Sequence, residues 1–364
     1  MIAAGFACGC GGQGRRLPVP QDIIEAGIPV RDLSQSMALS AEPLAPKPFA
    51  MLDRRSVPEC SGFAVSQRHP GVIWTHSDSD NPATIVAIRP DGTMIKPANA
   101  PEGYRGITVK GVRNLDWEAC VVTSAGEFIL GDIGNNDDKR RDLRLLVFPE
   151  PDPFKDTEVT PRIFPVRHRD QRVFKPRNNK HYDCEAMFAW GGELYFFTKR
   201  WSDTWTVLCK LEAAADTPAA GAIAGGAESR PHGGMTENGP PAPASPATPS
   251  REIAAASLLP PNARSGILTP VGAFDACGLV TDAAISPDGS RLAVLTYHNI
   301  WLFSLPAPPQ PNTPDAPISG KAVCLPLRFP LEFWQAEALA FDGEDCLLVG
   351  SEQGALFRIP IPAR

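Results

Sequence analysis

The sequence predicts an all-β chain folded as a β-propeller, and three observations carry that reading. Five segments of the 364 residues repeat one pattern: a short apolar strand, a tight polar turn, a second strand, another turn and a third strand. The apolar runs are rich in Val, Ile, Leu, Phe and Trp and are bounded by Gly, Asp, Asn and Pro, which marks strands rather than helices. The 39 Pro and 31 Gly punctuate the backbone too often for a helical bundle or a coiled coil over most of the chain.

The units line up in order. The first opens at Glu59 with ECSGFAVS and continues with GVIWTHSD and ATIVAIRPDG. The second opens at Asp116 with DWEACVVT, then GEFILGDIGNN and LRLLVFPEP. The third opens at Asp183 with DCEAMFAW, then GELYFFTKR and TWTVLCKLE. The fourth opens at Thr281 with TDAAISPDG, then RLAVLTYHN and IWLFSLP. The fifth opens at Gln335 with QAEALAFDG, then CLLVGSEQG and ALFRIPIP. A weaker fourth strand is expected near Ile107–Val112, Arg162–Arg167, Gly266–Phe274 and Lys321–Phe329. The fifth unit runs out of chain after its third strand, so its outer strand is expected from Pro48–Asp53. Placing both ends of the chain in one blade closes the ring and removes exposed sheet edges.

Unit starts at 59, 116, 183, 281 and 335 are 57, 67, 98 and 54 residues apart. The long step contains 213–250, a stretch of Ala, Pro, Gly and Ser with no aromatic residue, Val or Leu. It cannot bury enough surface to fold and reads as a disordered insertion. Five blades follow, with a short degenerate sixth within 251–280 as the alternative. One domain is expected over 46–364, with a Pro-rich loop at 306–317. Both insertions fall between the third and fourth strands of their units, hence on one rim, away from the chemistry. A polyproline ligand for a partner is their functional alternative.

Residues 1–45 read as a signal-peptide remnant and tether. Met1–Gly14 resembles the end of a signal peptide running into a lipoprotein-type cysteine, Cys8 or Cys10. Ile2–Ala7 is short for the apolar region of such a signal and no basic residue precedes it, so an upstream start or an ordinary flexible end stay open. On the lipoprotein reading the chain is exported to the periplasm or outer surface, and touches a membrane only through its N-terminal lipid. With 35 basic and 41 acidic side chains the net charge is −6, which argues against nucleic acid as a partner. No run of 18 apolar residues is present to span a bilayer. The nine cysteines lack zinc-type spacing, and those in apolar runs read as buried thiols.

Polar residues recur at fixed positions of the units. Aligned on the first strand, one column reads Ser61, Glu118, Glu185, Ala283 and Glu337. Two residues earlier stand Glu59, Asp116, Asp183, Thr281 and Gln335. Residues two apart on a strand share a side, and first strands line a propeller's channel, so two stacked polar rings are expected. Second strands end in His76 and Asp78, Asp132, Lys199 and Arg200, Tyr297 and His298, and Glu352. First and second strands are antiparallel, so both sets converge on one channel mouth, with Lys199 and Arg200 balancing the acids. His181 is expected near the same mouth, and Trp117 as a packing aromatic. The candidate ligand-binding residues are Glu118, Glu185, Glu337, Glu59, Asp116, Asp183, Asp132, Lys199 and Glu352, with Glu118, Glu185 and Glu337 as candidate metal ligands. The competing reading makes these carboxylates turn caps that accept backbone N–H bonds, and Gly131-Asp132-Ile133-Gly134 a turn motif.

The chain resembles a family of bacterial exported propeller proteins, often with lipoprotein signals. The resemblance lies in Glu59-x-Ser61-Gly62, Trp74-Thr-His-Ser-Asp-Ser79, Asp116-Trp117-Glu118, Gly131-Asp132-Ile-Gly134-Asn-Asn136, Asp183-x-Glu185-Ala186, Ser286-Pro-Asp-Gly289 and Glu337-Ala338. It implies the fold and export. The chain departs from the family pattern at Ser77-Asp-Ser-Asp80, Ala119 and Asn135-Asn136, where two carboxylate positions are lost.

Two functions fit these residues. One is an envelope protein whose mouth binds a small polar ligand, a cell-envelope component or a cation, without turnover. Its support is the lack of G-x-S-x-G, H-E-x-x-H, P-loop and G-x-G-x-x-G motifs. The other is a hydrolase: a Ca2+-dependent phosphoester or lactone hydrolase using Glu59, Glu118, Glu185, Glu337 and Asn135, or a glycosidase using paired carboxylates.

Overall fold

A computed structural model describes residues 18–34, 36–39, 42–175, 178, 180–214, 257–259, 262–306 and 317–362. The expectations for a signal remnant at 1–17, for most of the 213–250 insertion and for most of the Pro-rich 306–317 loop lie outside these residues.

The described residues form a β-propeller of five antiparallel four-stranded meanders, the second and third of which merge into one eight-stranded sheet through parallel pairing of Val166–His168 with Gly266–Leu268. Unit one comprises Cys60–Val65, Ile73–Ser77, Thr84–Ile88 and Ile107–Val109. Unit two comprises Trp117–Val122, Glu127–Asp132, Arg144–Pro149 and Arg162–His168. Unit three comprises Asp183–Trp190, Glu193–Lys199, Trp205–Ala213 and Gly266–Asp275. Unit four comprises Val280–Ile285, Arg291–Thr296, Asn299–Ser304 and Ala322–Pro326. Unit five comprises Ala336–Phe341, Cys346–Ser351, Ala355–Pro360 and, from the N-terminal side, Ala50–Met51. Ala50 and Met51 pair with Leu356 and Ala355, so the last unit takes its outer strand from the start of the domain. The inner strands neighbour one another in the closed order one, two, three, four, five, one. The described part of 251–280 supplies unit three's outer strand, and no sixth unit.

Burial follows the same five-fold plan. Five apolar clusters fill the gaps between neighbouring units. Trp74, Trp117, Phe128 and Phe148 lie between units one and two, and Phe164, Met187 and Phe196 between two and three. Phe188, Phe274, Trp301 and Phe303 lie between three and four, Leu339 and Phe357 between four and five, and Phe63, Leu348 and Leu356 between five and one. Each large side chain so buried contributes about 1.5–3 kcal/mol, which makes the gaps the main source of cohesion. Trp117 is fully buried, as a packing aromatic should be. Cys60, Cys120, Cys184 and Cys209 are buried thiols inside the units.

Two features depart from the expectations. Residues 18–45 were expected as a tether, yet their described part is a strap on the outer edges of units three and four. Its helix Gln21–Glu25 buries Ile23 completely. Arg31 donates its N–H to Ala273 O at 2.8 Å, Met37–Ala38 pair with Val323–Cys324, and Leu44 bridges to Leu327. Outer strands need cover, and the irregular spacing of Ile23, Val30, Leu33 and Leu44 gives no periodic signal of this in the sequence. The second departure is that every inner strand carries a β-bulge near its start. The bulged residues are Glu118, Glu185, Thr281 and Glu337, with Ser61 and Gly62 in unit one. Thr281, not Ala283, therefore stands with the glutamates.

The residue after the bulge is alanine in units two, three and five (Ala119, Ala186 and Ala338), and Gly62 closes the wider bulge of unit one. In unit four it is Asp282, 2 % exposed. Its carboxyl accepts the N–H groups of Leu339 at 2.6 Å, Ala283 at 2.8 Å and Phe63 at 3.4 Å, joining units four, five and one across the channel. Burial pushes its pKa well above the usual carboxyl range, against the pull of these N–H bonds. Asp282→Ala strands these donors and is expected to cost about 3 kcal/mol in urea melts. Asp282→Asn, which keeps an acceptor oxygen, is expected to cost far less. An Ala variant as stable as the parent would show that the ring closes without this brace.

Candidate functional site

The mouth is formed where inner strands begin and second strands end. A bulge re-aims a side chain, and here it turns Glu118 and Glu185 toward each other from neighbouring units. Carboxylate oxygens of Glu118, Asp183 and Glu185 lie within 4.8 Å of one another, as do those of Asp78, Asp116 and Glu118. Glu118 belongs to both triads. Four of the five residues are buried, and Asp78 is half-buried.

The surroundings hold these groups in place. Ser61 Oγ donates to Glu118 Oε2 at 3.3 Å. Asp183 accepts from Asn135 N at 2.6 Å and from Trp201 Nε1 at 2.7 Å. Asp78 accepts the N–H of Ser79. A Cβ on Gly134 would fall 2.5 Å from both Asp116 Cγ and Glu118 Oε1, so only glycine lets the two carboxylates meet over bare backbone. Lys199 Nζ lies 3.1 Å from Glu185 Oε2 and 3.9 Å from Glu337 Oε1, and faces the rings of Trp201 and Tyr297 at 4.9 and 5.3 Å. Tyr297 OH donates to Glu337 Oε1 at 2.5 Å. Glu337 therefore sits across Lys199 from the two triads rather than within them.

The other predicted residues are placed as follows. Asp132 lies behind the mouth, fully buried, bonded to Arg140 and Arg144 at 2.8 Å each. It also accepts the Asp116 N–H at 3.2 Å. Glu59 is half-buried and accepts from Asn81 Nδ2 at 2.6 Å. Glu352 is half-buried at the rim. Asn135, expected among Ca2+ ligands, spends its side-chain oxygen on Arg140 N at 2.8 Å. Arg200 does not balance the mouth. Neighbouring strand residues point to opposite sides, so Arg200 turns away from Lys199 to Asp203 and the strap's Asp22, at 2.8 Å each. His181 joins that cluster, 3.0 Å from Asp22. His76 packs fully buried against Trp117, where burial lowers its pKa to about 4, and His298 is exposed. A cavity of about 50 Å³ lies beside Asp22, His181 and Arg200, and none of the mouth's carboxylates lines it.

Sequence reasoning missed Asp282 and the Arg140–Asp132–Arg144 brace, and left Asp78 out of the candidate set. The signal for Asp282 was an acid in a column of Gly and Ala. Arg140 and Arg144 carried none, because only the fold brings them back to Asp132.

The electrostatics are unbalanced. Burial, then the charges of Asp183 and Asp78, push the Asp116 carboxyl up to about 7. Burial and the neighbouring Glu185 push Glu118 well above the carboxylate range. Burial raises Glu337 to about 7 although Lys199 and Tyr297 pull it back. Burial opposes the Lys199 charge, but Glu185 and Glu337 outweigh it and keep the ammonium protonated.

No family model matches the sequence, and no curated protein matches it. Among solved structures the chain is similar to one in the mitotic checkpoint complex, at 10% identity and TM-score 0.31, over 83% of this chain and 63% of that one. It is similar to U3-55K at 9% identity and TM-score 0.32, over 83% and 68% of the two chains. It is also similar to the Swd1 β-propeller domain of Myceliophteria thermophila at 12% identity and TM-score 0.30, over 84% and 74%. The chain thus spans less than two thirds of the first of these. Likenesses of this strength carry no argument about the site, and the propeller assignment rests on strand order and the closed ring.

The raised carboxyl of Asp116 fixes a pH dependence. Its folded pKa lies above its unfolded one, so between about pH 4 and pH 7 the folded state holds the proton more tightly. Its contribution to stability is greatest below pH 4 and falls as pH rises to 7. In chelator-treated protein, Asp116→Asn is expected to gain on the parent across that window, by up to about 1 kcal/mol per pH unit. A difference independent of pH would refute the raised carboxyl.

Proposed function

We propose that this protein is an exported propeller of the cell envelope whose channel mouth binds a divalent, oxygen-seeking cation such as Ca2+. The observation that carries the reading is the pair of carboxylate triads sharing Glu118. Oxygens on opposite sides of a Ca2+ ion at 2.3–2.6 Å are about 4.6–5.2 Å apart, so a 4.8 Å span matches one coordination shell. Like charges buried this closely are costly unless a cation joins them, and Lys199 alone is too little. Half-buried Asp78 leaves a side for water or a small polar ligand to complete the shell. Export is supported by the motif resemblance and by the Cys8 and Cys10 sequence.

One observation favours a hydrolase as the second reading. Glu337 carries a carboxyl raised to about 7 with Oε2 unpartnered among the described residues, the character of a general acid. Turnover of a phosphoester, a lactone or an aryl glycoside, lost in Glu337→Gln, would support it. Inactivity on all three would leave the binding reading.

Calcium titration of chelator-treated protein tests the main proposal. The melting temperature is expected to rise with Ca2+ concentration by mass action. The rise should shrink at pH 5, where protons compete for the carboxylates. Glu118→Gln with Glu185→Gln is expected to keep the fold and lose the Ca2+ response. No thermal shift and no binding heat with Ca2+, Mg2+ or Mn2+ would overturn the proposal.

A further inference from the structure

We propose that the mouth binds a neutral carbohydrate whose sugar rings stack on Trp201 and Trp334. This rests on the mouth as the ligand site and goes beyond the cation reading, since neither tryptophan belongs to the carboxylate triads. The observation that carries it is where the exposed tryptophans stand. The chain has seven tryptophans. Trp74, Trp117, Trp190, Trp205 and Trp301 are buried, whereas Trp201 and Trp334 are each 45 % exposed. A single exposed apolar residue is ordinary on a protein surface. These two come from different units, yet one run of contacts at the mouth joins them. Trp201 follows the second strand of unit three, and Trp334 precedes the first strand of unit five. Trp201 faces the Lys199 ammonium at 4.9 Å, Lys199 faces Tyr297 at 5.3 Å, and Tyr297 meets Trp334 edge to face at 5.0 Å.

Both rings are held in place. Trp201 Nε1 donates to Asp183 Oδ2 at 2.7 Å, and the buried Tyr297 that abuts Trp334 is tied by its OH to Glu337. A rigid aromatic face loses little entropy when a ligand stacks on it.

The polar groups beside these rings set the chemistry of the ligand. Glu337 is buried with Oε2 unpartnered among the described residues, and Glu352 and Asp78 are half-buried at the rim. Such acceptors call for O–H or N–H donors. An anion would meet like charge here. A quaternary ammonium would find the place beside Trp201 and Tyr297 filled by Lys199. An apolar ligand would bring no donor to the carboxylates. A sugar offers a C–H face to the negative face of an indole ring and hydroxyl donors to the carboxylates, so it meets both demands.

Tryptophan fluorescence and calorimetry on the whole chain test this, with and without Ca2+. The probes are cellohexaose, chitohexaose, maltohexaose and mannohexaose, with hexagalacturonate as the anionic control. Acrylamide is expected to quench Trp201 and Trp334 in the free chain, and at least one neutral sugar to bind and shield them. That protection needs no variant. Trp201→Ala and Trp334→Ala, checked for fold by circular dichroism, should each weaken binding by about tenfold or more. Trp334→Phe, which keeps an aromatic face, should retain most of the affinity. Binding by none of the four neutral sugars, or by the anionic one alone, would overturn the proposal. So would affinity unchanged in both Ala variants, or tryptophans already shielded in the free chain, which would show that the chain itself covers them. A Ca2+-driven rise in melting temperature that survives any of these failures leaves the cation reading standing. Sugar binding without any Ca2+ response would overturn the cation reading alone.

Discussion

The site depends on the β-bulge at the start of every inner strand. A regular strand would send alternate side chains to opposite sides and pair each residue with one partner. The extra residue breaks that count, and in units two, three and five the residue it releases is a glutamate. In units two, three and five the next residue is alanine, at Ala119, Ala186 and Ala338. Unit four differs. Thr281 takes the bulge and donates to Ala336 O at 2.6 Å, and Asp282 reaches across to neighbouring units. One half of the mouth is thus rich in carboxylates, and the other is closed by hydrogen bonds.

Concentrating acids in this way raises their free energy, and the surrounding residues limit how far they relax. Asp132, gripped by Arg140 and Arg144, holds the backbone of Asp116. Arg140 also bonds Gly134 O at 2.9 Å, which keeps the bare backbone against the carboxylates. Trp201 and Asn135 fix Asp183. On the far side the strap clamps Arg200 through Asp22, between Lys199 and Trp201, so the N-terminal segment supports the strand end that carries the mouth's ammonium. A site held by such supporting contacts is preorganised, and preorganised charge is what binds a cation strongly.

Much of this was legible in the sequence. The five units, their fourth strands and the strand taken from the N-terminal side follow from the alternation of apolar runs and turn residues. Glu118, Glu185 and Glu337 stood out because one residue type recurred at one place in the repeat. What stayed hidden depends on contacts between units. Thr281 was assigned to the wrong column because unit four carries Asp282 where the other units carry Gly or Ala, so its strand was aligned two residues out. The strap gave no signal because its anchors pack singly onto edges that exist only once the propeller has formed. Arg200 was assigned to the mouth from its neighbour Lys199, and strand alternation sends the two apart.

The measurement that tests the account most directly is anomalous scattering from crystals grown with Mn2+. The account places strong anomalous density between the carboxylates of Asp78, Asp116, Glu118, Asp183 and Glu185, with Glu118 in contact. Saturating Mn2+ with no anomalous density at the mouth, and these carboxylates still converging on one another, would contradict it.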